Sequence, residues 1–343
     1  MRWLMAGLFA LLAVSPATAA ALRPSDFVST ESVTSWISGY RAKPDLKGVP
    51  AAMRALSRFG AFNDPERCGV YVGFLAGVIA ANSDKAYQLI SKTMAMRKQD
   101  RWIIVRAIAY SGLPDWKQLM RWSESRMPRY DAMGEKYLSG KTATLAQFTV
   151  PPAPTTLDQL REHLQLEKPT RKVVLEPSPE VLDLLWGYYF ATGSYRPIMR
   201  LIALLPWSRD HDDVERLTIG NMAKYTLARN AAHDEALLAM LKASIKAPNQ
   251  PETTVAVLKE VVEAAETVDT ASIHKQALAA IEELKRKGPA YKRNVSWWGY
   301  IGQSAIAGGC IAAALAGQVE FGIPCVIGGA TASAAMNFWN NQP

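Results

Sequence analysis

Four histidines and three cysteines bound the metal and nucleophile chemistry open to this chain. His163, His211, His233 and His274 include no H-E-x-x-H pair, the spacing at which one helical face offers two imidazoles to zinc. Cys68, Cys310 and Cys325 cannot complete a four-ligand zinc site alone. The densest mixed cluster is Arg209-Asp210-His211-Asp212-Asp213. It holds both imidazole and carboxylate ligands, but neighbours along one turn seldom converge on an ion, and Asp212 and Asp213 equally suit the positive start of a helix. The run GEKYLSGKT at 134–142 resembles a phosphate loop and fails as one: five residues separate its glycines instead of four, and Tyr137 and Leu138 are bulky. Ser272 and Lys275 have the spacing of an acyl-enzyme pair. Their nearest partner motif, Lys141-Thr142-Ala143, lacks the glycine and precedes the serine. No G-x-S-x-G elbow occurs. Trp116 and Trp122, and Trp186 and Tyr189, stand at helical spacing and are expected in a core rather than on a sugar platform. No catalytic, cofactor-binding or metal-binding residue is therefore assigned, and no cofactor is expected.

The elements that would position any chemistry are helical. The chain has 343 residues, 49% apolar and 20% charged, which excludes wholesale disorder. With 22 Gly, 20 Pro and 3 Cys it is neither collagen-like nor disulfide-dense. Apolar residues recur at three- and four-residue spacing, and 173–175 (Val-Val-Leu) is the one short β-prone run. The fold expected is all-α. Apolar helices repeatedly end at a Gly or Asn before a second helix begins, at Asn82, Gly112, Gly193 and Asn230. The small or aromatic residues Ala80, Tyr110, Ala191 and Ala228 stand two positions earlier. The intervals of 30, 81 and 37 residues leave a long central insertion, inside which FTVPPAPTT at 148–156 breaks helix. The expected division is an N-terminal lobe (21–150), a Pro-rich and charged joint (151–180) and a C-terminal lobe (181–290), the alternative being one continuous superhelix with an irregular joint. The last body helices fall at 253–268 and 271–287.

Residues 1–20, MRWLMAGLFALLAVSPATAA, have one early positive charge, an apolar run of about a dozen residues, a Ser-Pro break and small residues at the end. That is the layout of a cleaved signal peptide, too short in its apolar part for a span. Export to the periplasm or the outside is expected. Cytosolic nucleotides then drop out as substrates, and nucleic acid drops out as a partner. The net charge of +8 favours anionic lipid and other polyanions.

Beyond the body the composition changes. Residues 297–317 and 322–339 are free of charge and frame a short polar break at 318–321. Two such stretches suggest a hydrophobic helical hairpin near spanning length. Small residues recur every four positions (Ala305, Gly309, Ala313, Gly317, then Cys325, Gly329, Ser333), which on a helix allows close backbone approach. Trp297 and Trp298 at one end and Trp339 at the other would meet at one membrane surface. Lys285, Arg286, Lys287, Lys292 and Arg293 precede the hairpin and offer contacts to anionic headgroups. Cys310 and Cys325 lie in opposite arms and could pair under oxidising conditions if the turn is irregular. The alternative for the hairpin is packing on the body or on another copy, which would make a homo-oligomer.

Paired helices with small residues before a Gly or Asn turn, over 62–287, resemble tetratricopeptide-type arrays and exported α-helical bacterial proteins of unknown function. The tail resembles glycine-zipper segments of bacterial envelope proteins. These resemblances imply a helical-hairpin superhelix of solenoid type that binds a protein or peptide in the envelope, without enzymatic activity, attached to membrane by its tail. Two alternatives stand beside that expectation: a bilayer-perturbing protein, and an envelope hydrolase.

Overall fold

The computed structural model describes residues 26–151, 172–210 and 213–267, and Ala279. Over these residues the protein is all-α, as expected. The helices that lie wholly among the described residues are α1 (Thr30–Gly39), α2 (Val49–Phe59), α3 (Gly69–Ala81), α4 (Ala86–Thr93), α5 (Trp102–Tyr110), α6 (Trp116–Glu124), α7 (Asp131–Leu138), α8 (Pro179–Thr192), α9 (Tyr195–Ile202), α10 (Val214–Ala231), α11 (Glu235–Ile245) and α12 (Glu252–Thr267). Among the described residues there is no strand. The β-prone run contributes only a parallel bridge from Leu175 to Phe148, held by Thr149 N–H donating to the Leu175 carbonyl and Leu175 N–H donating to that of Gln147, both at 3.0 Å.

The centre of the body is the pair α3 and α8. α3 reads GVYVGFLAGVIAA, uncharged on every side, and each residue from Gly69 to Ile79 is buried. A helix apolar all round belongs inside, and thirteen residues fall short of a membrane span. Among the described residues no helix is long and apolar enough to cross a membrane. Gly69, Gly73 and Gly77 recur every four residues and face α8, while Gly187 faces back. A Cβ added to Gly73 would lie 1.9 Å from the Leu184 carbonyl oxygen, and one on Gly187 would lie 2.0 Å from that of Val70. Backbone therefore touches backbone, an approach only glycine permits. Gly69 meets Glu180 and Asp183, Gly73 meets Leu184, and Gly77 meets Tyr188 and Ala191, so the two helices run parallel.

Other helices wrap this pair. α5 packs on α3, and α1 and the turn Tyr40–Ala42 pack on α8. Sequence neighbours also pair, as in α5 with α6, α8 with α9 and α11 with α12. The α3–α8 contact is of another kind, joining residues more than 100 positions apart across the Pro-rich segment. Stacking of each helix pair only on the next would not produce it. One continuous hydrophobic cluster holds residues from both sides of that segment.

Two of the four expected helix-ending turns behave as left-handed ends: Gly112 at φ +71° and Gly193 at φ +64°. The two asparagines do not. Asn82 ends α3 at φ −135°, and Asn230 lies within α10, its Nδ2 donating to the Thr226 carbonyl at 2.9 Å. Both asparagine amides bond the carbonyl four residues back, Asn82 to Val78 and Asn230 to Thr226, each at 2.9 Å, and the helix at Asn230 closes one residue later, at Ala231. The body helix expected at 253–268 is α12. The one expected at 271–287 lies outside the described residues, apart from Ala279.

Candidate functional site

A parallel helix pair brings two positive helix ends together. Titratable side chains gather there. Ser178 caps α8, its Oγ accepting from Val181 N–H at 3.2 Å, and Glu180 follows in the first turn. Glu180 Oε1 pairs with Arg106 Nη1 of α5 at 2.5 Å, and both side chains are mostly buried. Burial pulls the Glu180 carboxyl upward more strongly than Arg106 pulls it down. On Arg106 burial is the largest single influence and acts to lower, but the Glu180 charge and hydrogen bond together with Tyr110 and Tyr137 outweigh it, so the guanidinium keeps its proton. Arg106 also lies 5.7 Å from the Trp102 ring centroid and 5.6 Å from that of Tyr110.

One turn further along α8, Asp183 is 1% exposed, and its Oδ1 has no hydrogen-bond partner. Burial, then the nearby Glu180 charge, push its carboxyl well above the usual carboxylate range, so it is neutral in the folded protein. Cys68 stands just ahead of α3 with its thiol donating to the carbonyls of Asp64 (3.0 Å) and Ala61 (3.2 Å). Burial, then Glu180, hold that thiol above its ordinary range, so it stays a buried, unreactive S–H rather than a thiolate. Tyr71 shares a 3.2 Å hydrogen bond with Thr34 of α1, and burial raises its phenol too. The arrangement therefore holds protons in place: a neutral acid, a neutral thiol and one ion pair, all packed between helices.

The same use of polar groups recurs across the body. Ser57 Oγ donates to Asp100 Oδ2 at 2.5 Å, and Arg97 Nε donates to the same oxygen at 2.8 Å, tying α2 to the turn before α5. Asp234 Oδ2 accepts from Arg41 Nη2 (2.5 Å) and the Tyr189 hydroxyl (2.8 Å), while its Oδ1 caps α11. Glu260 of α12 takes Lys224 of α10 at 2.5 Å and also pairs with Arg209. Apart from the local Arg97–Asp100 bond and the Asp234 cap, each tie crosses between elements 36 or more residues apart.

Every residue singled out for attachment lies outside the described residues: Trp297, Trp298, Ala305, Gly309, Ala313, Gly317, Gly329 and Trp339, the basic set Lys285, Arg286, Lys287, Lys292 and Arg293, and the pair Cys310 and Cys325. So do the leader at 1–20, and His163, His211, Asp212, His274, Ser272 and Lys275. Of the acidic cluster, Asp210 pairs with Arg216 (Nε to Oδ2, 3.1 Å), and Asp213 caps α10 by accepting from the N–H groups of Glu215 and Arg216 at 2.9 and 3.1 Å. Among the described residues no three His, Cys, Asp or Glu side chains are grouped to hold a metal ion. The 134–142 run is the end of α7 and a left-handed turn at Gly140. Trp186 is fully buried, its Nε1 donating to Thr226 at 3.0 Å, and Tyr189 is buried beside it.

The Arg106–Glu180–Asp183 group escapes a reading by motif, since its members lie on two helices far apart in the chain. A signal was present all the same: Asp183 is the single charge in the apolar run VLDLLW, where a carboxyl has no solvent to meet. Comparison with known proteins finds no matching family model, no matching curated protein and no matching solved structure.

Proposed function

We propose that this chain is an exported helical scaffold that binds a protein or peptide partner in the bacterial envelope, with its C-terminal segments holding it at a membrane. The observation that carries the reading is the pair of charge-free stretches, 297–317 and 322–339, behind a basic run in a chain whose body is otherwise helical. Support comes also from the way the described body spends its buried polar groups. The ion pairs and buried hydroxyls bind helix to helix, which suits a rigid platform. In this reading the helix pairs pack about α3 and α8 as the platform, and the tail folds as a hairpin.

The stripe of small residues in the tail favours a second reading, insertion of several copies to perturb a bilayer. Vesicle flotation of the chain lacking 1–20, with and without 295–343, tests both. The scaffold reading expects flotation on neutral vesicles that vanishes with the tail and releases no trapped dye. Dye release on flotation supports the second reading, and flotation unchanged by the deletion removes the tail as anchor. The mass of the chain recovered from the periplasm tests export, with cleavage expected in the small-residue stretch after Pro16.

A further inference from the structure

Charge is unevenly placed along this chain. Residues 85–141 hold twelve Lys and Arg against five Asp and Glu, so +7 of the net +8 lies there, whereas residues 211–267 hold six against nine. Of the five acids, Asp100 is buried and held by Arg97. The fold collects much of the excess. Tyr130 donates its hydroxyl to the carbonyls of Lys98 (3.0 Å) and Gln99 (2.7 Å), which sets the turn Pro128–Tyr130 beside the loop at 97–101. Lys92 stands in the last turn of α4, the helix whose Tyr87 meets Trp122. Arg126 lies 4.1 Å from the Trp122 ring centroid and donates to the Trp122 carbonyl at 3.1 Å, and Trp122 meets Tyr87 edge-on at 5.0 Å. Lys98, Arg126 and Arg129 are exposed, and the rings of Trp122 and Tyr130 are half-buried. Among the described residues, no carboxylate lies within ion-pair distance of Lys92, Lys98, Arg101, Arg126 or Arg129.

We propose that this face, Lys92, Lys98, Arg101, Arg126 and Arg129 around Trp122 and Tyr130, docks the helical body on anionic phospholipid headgroups. The cations come from separate turns and converge on no single point, which suits a field of phosphates rather than one bound anion. Half-buried aromatic rings among them fit the amphipathic headgroup layer. The acidic excess at 213–267 belongs to other helices, α10 to α12, so an anionic surface would favour this face over them. The inference rests on the membrane reading above, but it uses a part of the chain separate from the tail.

The test is flotation of the full chain lacking only 1–20, on phosphatidylcholine vesicles and on vesicles with phosphatidylglycerol added. K98Q/R126Q/R129Q is compared with K43Q/K246Q/K259Q, which removes the same net charge from exposed lysines elsewhere. Circular dichroism verifies that both fold. Phosphatidylglycerol is expected to strengthen binding in a salt-sensitive way. The first variant should lose about 100-fold of that gain at low salt, and the second should lose far less. Equal losses, or no gain from phosphatidylglycerol, overturn the proposal. So does salt-sensitive self-association without lipid that is abolished by the first variant, combined with no lipid preference, since the face would then meet the acidic side of a second copy. Binding to neutral vesicles reports on the tail alone. Its absence, with the phosphatidylglycerol gain intact, defeats the tail anchor and leaves this face standing.

Discussion

Asp183 is a carboxyl kept neutral by its surroundings, and its energetics have a definite sign. Its folded-state pKa lies well above the unfolded one, with burial the first cause and Glu180 the second. Below the unfolded value near 4 both states hold the proton and the group costs nothing through titration. As pH rises towards the folded value the unfolded chain releases the proton first, so stability is lost progressively. Asp183→Asn should therefore melt higher than the parent at pH 7, with the gap closing near pH 4; a gap independent of pH would mean that Asp183 is charged in the fold. The neighbouring pair behaves differently. Arg106→Gln leaves Glu180 buried without its cation and should cost about 3 kcal/mol in a denaturant titration. Arg106→Met/Glu180→Met should recover much of that, because a buried pair often does little more than offset its own desolvation. At this scale the sequence was partly readable. Cys68 is the small buried residue its lone position suggests. The Arg106–Glu180 pair is not readable, because nothing near either residue names the other.

α3 and α8 illustrate how a pattern can be legible in one place and missed in another. A four-residue recurrence of small side chains stands out in the tail, within its long apolar runs. The same recurrence at Gly69, Gly73 and Gly77 is the one the described body uses. Its consequence is a steep penalty for added volume. Gly73→Ala should lower the stability read from a denaturant titration sharply, by about 3 kcal/mol, since the clash is with backbone that cannot rotate away. Gly39→Ala is the control. Nothing lies within 4 Å of its added Cβ, so its effect should stay within about 1 kcal/mol. Comparable losses from both would mean that backbone contact is not what α3 requires. Helix ends were legible at all four turns, α3 closing at Ala81 and α10 at Ala231, but only glycine, at Gly112 and Gly193, supplies the left-handed conformation there.

For the molecule as a whole, the α3–α8 contact binds chain from before the Pro-rich segment to chain from after it. A fragment of residues 21–150 would expose the face of α3 that α8 covers. It is expected to lose its cooperative melting transition in calorimetry, and to regain it when mixed with a fragment covering residues 172–290. Independent cooperative unfolding of the first fragment would show instead that the break at 148–156 separates two self-sufficient lobes. The uneven charge acts at this scale too, since a body with its positive excess at 85–141 presents different faces to an anionic surface.

All-helical character and the burial of Trp186 and Tyr189 could be read along the chain, because both follow from local spacing: an apolar residue every three or four positions and a capping side chain at a helix start; Trp116 and Trp122, expected in a core on the same grounds, are only half-buried. The excess of positive charge at 85–141 is likewise a property of the residues alone. Which helices meet was decided only in three dimensions. The pairing of α3 with α8 requires two glycine surfaces, more than 100 residues apart, to match in register. It also creates the buried carboxyl, the ion pair and the silent thiol at their shared end, since desolvation belongs to a place in the fold and not to a position in the chain.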